Sequence, residues 1–181
     1  MARSPIGNGR NIYIAKFLEL EGYDTQQGKH KMTEISESIE IKAPLEQVFK
    51  YAVNHRNASK FIASVTSYDP TTEALWGVGA RFAMGVSVND FRFTQELEVV
   101  ELQLGRSLHV QSLSGQPFKD AKWSFEHTAS GTQVTYQISY AIPEVFLGRK
   151  LDEKTRKQLD VQIRSDVRQT LENLRAKFEK S

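Results

Sequence analysis

Few side chains in this sequence could form a catalytic or metal centre. The chain contains no cysteine, which excludes thiolate nucleophiles, thiolate metal ligands and disulfides. Its four histidines are scattered, with no two of them three or four residues apart: His30, His55, His109 and His127. Because paired metal ligands on a helix need that spacing, the sequence predicts no metal site and no cofactor.

Four polar side chains share the strand alternation of apolar neighbours and are the candidates to orient a ligand: Gln95, His127, Tyr136 and Tyr140. No residue is assigned as catalytic, but Tyr136 and His127 are the candidates for proton transfer if the protein is an enzyme. The alternative is that these residues have structural roles and do not bind a ligand. Each tyrosine hydroxyl would then bond a backbone carbonyl or water, and His127 would lie in solvent at a strand end.

The charged residues of the central region fit ion pairs better than catalysis. Glu96 and Glu98 alternate onto the face opposite the apolar residues, and we expect them to pair with cationic side chains on neighbouring strands. Arg81 could pair with Asp69 or reach the mouth of a pocket. His109 alternates out of phase with Leu108 and Val110 but in phase with Leu113, which leaves its direction open, and we expect it to be exposed.

Hydrophobic alternation predicts a first strand, two short helices and six more strands. Ile35, Ile39 and Ile41 alternate with polar residues in the first strand. Pro44 ends it and opens a helix, and a second short helical segment spans residues 57–64. The later strands are predicted at about residues 65–75, 80–89, 91–104, 106–114, 120–129 and 132–142. Their short turns leave no room for crossover helices, so the sheet should be antiparallel.

A long amphipathic helix is predicted at the C-terminus. Asp152, Glu153 and Asp160 each stand four residues before an Arg or Lys, the favoured spacing for exposed pairs. Such a helix must cover an apolar surface, and the large one available is the concave face of the sheet. Because a helix cannot meet a curved sheet at every point, a cavity is expected between them. The apolar stripe of the helix consists of Leu159, Ile163, Val167, Leu171, Leu174 and Phe178.

The residues predicted to line this cavity lie on the first short helices, on the inward faces of strands or on the apolar stripe of the helix. The alternative for each is that it belongs to the packed core. The number of aromatic rings favours a cavity over a fully packed core. One helix cannot fill the space behind so many rings unless the rings pack tightly on one another. The predicted ligand-binding residues are Phe61, Phe82, Met84, Phe91, Phe93, Gln95, Trp123, Phe125, Tyr136, Tyr140, Ile163 and Val167.

Composition and charge exclude several other classes of protein. The 181 residues are 39% hydrophobic and 25% charged, with a formal net charge of +2. That excess is too small for a protein whose main partner is nucleic acid. No stretch approaches the length of a transmembrane helix, and we expect a cytoplasmic protein. The linker-like composition of residues 1–31 predicts a flexible extension before one domain at residues 32–181.

Five local patterns follow one another over about residues 33–180. They are Pro44 to Tyr51, Gly77 to Phe82, Trp123 to Phe125, Gly131 to Tyr136, and Leu147 to Arg149. Together they resemble the START-like superfamily, also called SRPBCC or Bet v 1-like, in its polyketide cyclase/dehydrase-like and lipid-transport branch. The resemblance implies an α+β helix-grip fold: a seven-stranded antiparallel sheet wrapped around the long C-terminal helix, two short helices after strand 1 and a deep hydrophobic pocket. It does not imply one activity, because the superfamily includes carriers, receptors and enzymes.

Three functions follow as hypotheses. The sequence favours a non-enzymatic protein that binds or transports a hydrophobic small molecule, such as a lipid, a quinone or an aromatic, polyketide-like metabolite, in an internal cavity. The first alternative is a polyketide cyclase or dehydratase of the aromatase/cyclase type with pocket Tyr or His as acid-base groups. The second is a protein-interaction module with residues 1–31 as a docking arm. We expect a monomer or weak homodimer, and the basic excess of the terminal helix would allow transient contact with a membrane.

Overall fold

The computed structural model describes residues 32–113 and 117–179 of the chain. These residues form nine strands, three α-helices and one 3-10 helix. In chain order the elements are β1 (Thr33–Ile41), α1 (Leu45–Ala52), the 3-10 helix (His55–Asn57), α2 (Ala58–Phe61), β2 (Val65–Pro70), β3 (Arg81–Val88), β4 (Phe91–Gln103), β5 (Ser107–Ser112), β6 (Phe118–His127), β7 (Thr132–Tyr140), β8 (Val145–Phe146), β9 (Arg149–Lys150) and α3 (Glu153–Phe178).

Strands β1 to β7 form one antiparallel sheet in the order β1-β7-β6-β5-β4-β3-β2. From β2 to β7 each strand pairs with the next one in sequence, and β1 pairs with β7. Residues paired across strands share a face: Phe82 lies opposite Leu97, and Trp123 lies opposite Tyr136. The predicted seven-stranded antiparallel sheet, with two short helices after the first strand, is therefore confirmed.

Three β-bulges interrupt the ladders of this sheet. They lie between Val65 and Ser67, between Val99 and Glu101, and between Phe118 and Asp120. A bulge places two residues of one strand against one residue of the other, which bends the strand and increases its twist. The bulges therefore add curvature to the ordinary twist of the sheet.

Helix α3 packs on the apolar face of the sheet, where it contacts β1, β3 and β7. The carboxylate of Asp152 accepts a hydrogen bond from the backbone N–H of Thr155 at 2.7 Å, so Asp152 is the N-cap of the helix. Asp160 forms the predicted pair with Arg164, at 2.9 Å. The buried residues of the predicted stripe are Leu159, Ile163, Val167, Leu171 and Leu174.

Arg81 and Glu98 lie directly opposite each other on β3 and β4. Their side chains form an ion pair at 2.7 Å. The predicted cross-strand role of Glu98 is confirmed, and the partner of Arg81 is Glu98 instead of Asp69.

A short hairpin of two strands, β8 and β9, each two residues long, precedes α3. It was not predicted. Leu147 and Gly148 form the hairpin turn with positive φ angles of 50° and 72°, as a type I′ turn requires. Glycine adopts such angles without steric cost, and its presence at 148 is consistent with the turn.

The predicted N-terminal extension, residues 1–31, lies outside the described residues. Within residues 32–113 and 117–179, none of the helices is long and apolar enough to cross a bilayer.

Candidate ligand-binding site

A cavity of about 120 Å³ lies between the sheet and α3. Strands β2 to β7 supply one wall, and Ile163, Asp166, Val167 and Thr170 of α3 supply the other. The cavity lies where two apolar clusters meet. One surrounds α3, the other is built mainly from β3, β4 and β5, and Met84 and Leu108 pack against both. Because its wall is mostly apolar, the cavity offers few partners to water and suits an apolar ligand.

The structure brings seven of the predicted ligand-binding residues together in the cavity wall. Trp123 and Tyr136, opposite each other on β6 and β7, stack with their ring centroids 3.9 Å apart. This stack gives the wall one flat aromatic surface. The seven residues are Phe82, Met84, Gln95, Trp123, Tyr136, Ile163 and Val167.

The other five predicted residues pack elsewhere in the core. Phe91 and Phe93 contact the ring of Phe146, with centroids 5.6 Å and 5.1 Å away. Phe125 packs edge-on against Phe49 at 5.2 Å. Because these rings fill space against one another, the cavity is small for the number of aromatic residues in the chain. The five residues are Phe61, Phe91, Phe93, Phe125 and Tyr140.

Tyr140 is fully buried and joins β7 to α3. Its hydroxyl donates a hydrogen bond to Asp160 at 2.5 Å. Burial raises the pKa of Tyr140, and the hydrogen bond to Asp160 raises it further. The hydroxyl that was predicted to orient a ligand therefore stabilises the contact between sheet and helix.

Tyr68 and Tyr136 bring two hydroxyls to the cavity wall. Within the described part of the chain, neither hydroxyl has a hydrogen-bond partner. Burial raises the pKa of Tyr68 well above its usual range. Burial also raises the pKa of Tyr136, and the nearby Tyr68 adds a smaller effect in the same direction. Both phenols are therefore neutral at physiological pH, where they can donate hydrogen bonds but do not act as bases.

Two polar side chains of α3 hold the end of α2 and the loop that follows it. Thr170 is buried, and its hydroxyl oxygen accepts a hydrogen bond from the backbone N–H of Ala63 at 2.9 Å. Asn173 donates to the carbonyl oxygen of Phe61 at 3.1 Å. Because Ala63 lines the cavity, these bonds fix one side of its wall.

Asp166 is the one carboxylate that α3 contributes to the cavity wall. Ser64, whose φ of 65° lies in the left-handed region, donates its hydroxyl to one carboxylate oxygen. The side-chain amide of Gln162 donates to the other oxygen at 2.7 Å. Both oxygens are therefore engaged by the protein, and the carboxylate is oriented by its neighbours.

The described histidines occupy three different environments. His127, the candidate proton donor, is exposed at the end of β6 and is not part of the cavity wall. His55 lines the cavity with its ring 5.4 Å from that of Phe82. His109 was expected to be exposed, but it is partly buried, with Nε2 3.4 Å from Asp120. Among the residues described, no three or more His, Asp or Glu side chains come together as metal ligands could.

Tyr68 was not predicted as a cavity residue because a bulge shifts its strand. Val65 and Tyr68 stand three residues apart, so regular alternation would place them on opposite faces. The bulge puts Val65 opposite Val86 and Tyr68 opposite Met84, and both then face the cavity. The odd spacing of two apolar residues in one strand is the signal that could have indicated this.

Comparison with known families gives one match that covers most of the chain. A family model described as "Polyketide cyclase / dehydrase and lipid transport" matches residues 32–179. No curated protein matches the chain in sequence.

Several solved structures share this fold. The Zhui aromatase/cyclase of a Streptomyces species has a TM-score of 0.69 at 14% identity, over 83% of this chain and 95% of its own. The di-domain ARO/CYC protein BexL of the BE-7585A biosynthetic pathway has a TM-score of 0.64 at 14% identity. That match covers 95% of this chain but 59% of BexL. A Thermus thermophilus protein has a TM-score of 0.60 at 19% identity, over 82% of this chain and 97% of its own.

Proposed function

Because the chain belongs to the polyketide cyclase/dehydrase and lipid transport family, we propose that it binds a hydrophobic small molecule in the cavity between its sheet and α3. The observation that carries the proposal is the mostly apolar wall contributed by six strands and the helix. Burial of ligand surface there would supply affinity, at about 25 cal/mol per Å². A small number of polar groups would set the orientation of the ligand.

The size of the cavity limits what it can hold without rearrangement. Its volume of about 120 Å³ is close to the roughly 150 Å³ of an apolar protein cavity that accommodates benzene. It is smaller than the roughly 300 Å³ at which sites for drug-sized ligands begin. The cavity therefore fits one ring, or one end of a longer molecule whose remainder would require the wall to open.

A cavity-filling variant tests this proposal. Ala121 lines the cavity on β6, and the next residue, Lys122, is exposed on the other face of the strand. We expect Ala121→Leu to abolish binding of an environment-sensitive fluorescent hydrophobe, whereas the matched control Lys122→Leu binds it like wild type. Equal binding by all three proteins would place the ligand outside this cavity.

The identity of the natural ligand can be sought in the purified protein. Solvent extraction of the recombinant wild type followed by mass spectrometry should recover an apolar molecule that co-purifies with it. The same extraction from Ala121→Leu should recover less of that molecule. Recovery from both proteins in equal amount would argue against the cavity as its site.

A second function, that of an aromatase/cyclase, is favoured by the position of Tyr136. Its neutral hydroxyl lies in the cavity wall, beside the flat surface of the stacked Trp123 ring. Such a group could hydrogen-bond a substrate carbonyl as a poly-β-keto chain folds. If the protein is such an enzyme, Tyr136→Phe should lower kcat for a short poly-β-keto thioester, and His127→Ala, at the exposed strand end, should not.

A further inference from the structure

Gln95 is a buried polar residue of the cavity wall. It lies on β4 opposite Met84, is 1% exposed and lines the cavity among apolar side chains. Buried polar groups in proteins nearly always have hydrogen-bond partners. In Gln95, the amide nitrogen Nε2 has such a partner and the amide oxygen Oε1 does not.

The orientation of the Gln95 amide is determined by its neighbour on the backbone. Its Nε2 donates a hydrogen bond to the carbonyl oxygen of Phe118 at 2.7 Å. A carbonyl oxygen can only accept, so the nitrogen must face Phe118 and Oε1 must face away from it. Oε1 is buried and has no hydrogen-bond partner. Besides the two tyrosine hydroxyls, the cavity wall thus contains one unused acceptor that cannot itself donate, and a donor on a ligand would satisfy it.

The charges around the cavity indicate a neutral ligand. No Lys or Arg of the described residues is part of the wall, so no permanent positive charge there would compensate a carboxylate or phosphate. Both oxygens of Asp166 are engaged by Ser64 and Gln162. Those of the other carboxylate in the wall, Asp120, lie against the Ser139 hydroxyl and His109, so no bare carboxylate is available to a cationic ligand.

We infer that the cavity takes a neutral, hydroxyl-bearing aromatic ring of the phenol class, whose O–H donates to Oε1 of Gln95. The inference rests on the proposed function and adds the polar contact that selects among hydrophobic molecules. The ring matches the volume of about 120 Å³, and the stack of Trp123 and Tyr136 offers it an aromatic face. Gln95 is then a specificity-determining residue.

The test compares two probes of similar size, 4-methylphenol and 4-fluorotoluene, the second of which lacks the donor. Titration calorimetry with the full chain should show that Gln95→Leu weakens binding of 4-methylphenol by about tenfold, the effect of one hydrogen bond. It should leave 4-fluorotoluene binding unchanged or tighter. A second substitution, Gln95→Met, should reproduce this pattern, and the melting temperature of each variant checks that it is folded.

A measurement on wild type alone keeps the inference testable if both variants fail to fold. When each affinity is divided by the cyclohexane–water partition coefficient of its probe, 4-methylphenol should exceed 4-fluorotoluene by at least about tenfold. If both probes bind wild type and this ratio of normalised affinities is near one, the role assigned to Gln95 is wrong and the proposed function stands. The same conclusion follows if the Gln95 variants weaken the binding of both probes equally. If neither probe nor any other hydrophobe binds wild type, the proposed function fails as well.

Discussion

Two tyrosines of β7 differ in whether their hydroxyl is used by the fold. Tyr136 and Tyr140 stand four residues apart and both point toward α3. The Tyr140 hydroxyl donates to Asp160 at 2.5 Å, whereas that of Tyr136 faces the cavity wall without a partner among the described residues. The hydroxyl of Tyr140 therefore stabilises the fold, whereas the hydroxyl of Tyr136 is available to a ligand.

Replacing each tyrosine by phenylalanine should separate these roles. Tyr140→Phe removes a hydrogen bond to a carboxylate and should lower the free energy of unfolding by about 2 kcal/mol. Tyr136→Phe, the matched control, removes an unpaired hydroxyl and should lower it by no more than about 0.5 kcal/mol. Urea denaturation of both variants at neutral pH measures the difference. Equal losses of unfolding free energy in the two variants would contradict the assignment of different roles to Tyr140 and Tyr136.

The contribution of Asp160 to stability should depend on pH. Burial works against its ionised form, but hydrogen bonds from Tyr140 and Arg164 lower the pKa of Asp160 below its ordinary value. A group with a lowered folded pKa stabilises the protein above its unfolded pKa, about 3.9 for Asp, and loses that effect as the pH falls through the folded value. The stability difference between wild type and Tyr140→Phe should therefore shrink on acidification from pH 7 to pH 2.5. Urea denaturation at the two pH values measures it, and a difference that grows in acid would show that the sign is wrong.

Helix α3 acts as a second wall of the cavity and as a clamp on the α2–β2 loop. Its apolar stripe packs on the sheet, while Thr170 and Asn173 bond the backbone of Ala63 and Phe61. Because Ala63 lines the cavity, the helix holds in place one part of the wall that is not built from strands.

Loss of one clamp bond should destabilise the protein without changing side-chain volume much. Thr170→Val leaves the N–H of Ala63 without its acceptor and should cost about 1–3 kcal/mol. Thr66→Val, the same substitution at an exposed position of β2, should change the free energy of unfolding by less than about 0.5 kcal/mol. Amide hydrogen exchange should also show faster exchange at Ala63 in Thr170→Val. Protection equal to wild type there would argue against the clamp.

The molecule as a whole places its sheet and its helix so that their contact is incomplete. The helix touches β1, β3 and β7, while bulges bend β2, β4 and β6. Ring-on-ring packing fills one region of the interface, and the cavity occupies another. A ligand that fills this space binds the folded chain and not the unfolded one, so binding must stabilise the fold.

Ligand binding should therefore appear in the unfolding equilibrium. At 100 times its Kd, 4-methylphenol should raise the free energy of unfolding of wild type by about 2.7 kcal/mol. Lys122→Leu should respond equally, and Ala121→Leu should not respond. Denaturation with and without the probe measures this. A response of Ala121→Leu equal to that of wild type would locate the binding elsewhere.

Much of the fold could be predicted because hydrophobic patterns depend only on local geometry. Alternation along β3, β4, β6 and β7 indicated which residues share a face, and the register confirms it through pairs such as Phe82 with Leu97 and Trp123 with Tyr136. The spacing of apolar residues in α3 likewise indicated its buried stripe. Side chains alternate along a strand and recur every three to four residues along a helix, whatever the rest of the chain does.

The tertiary structure alone decided which of these inward side chains line the cavity and which pack on one another. Phe91 and Phe93 have the same pattern as Phe82, yet they pack on Phe146, which comes from a hairpin that alternation did not reveal. Tyr68 enters the cavity wall through a bulge that reverses its parity. Periodicity specifies the direction of a side chain, whereas the space in front of it depends on residues far away in sequence and on the register of their contacts.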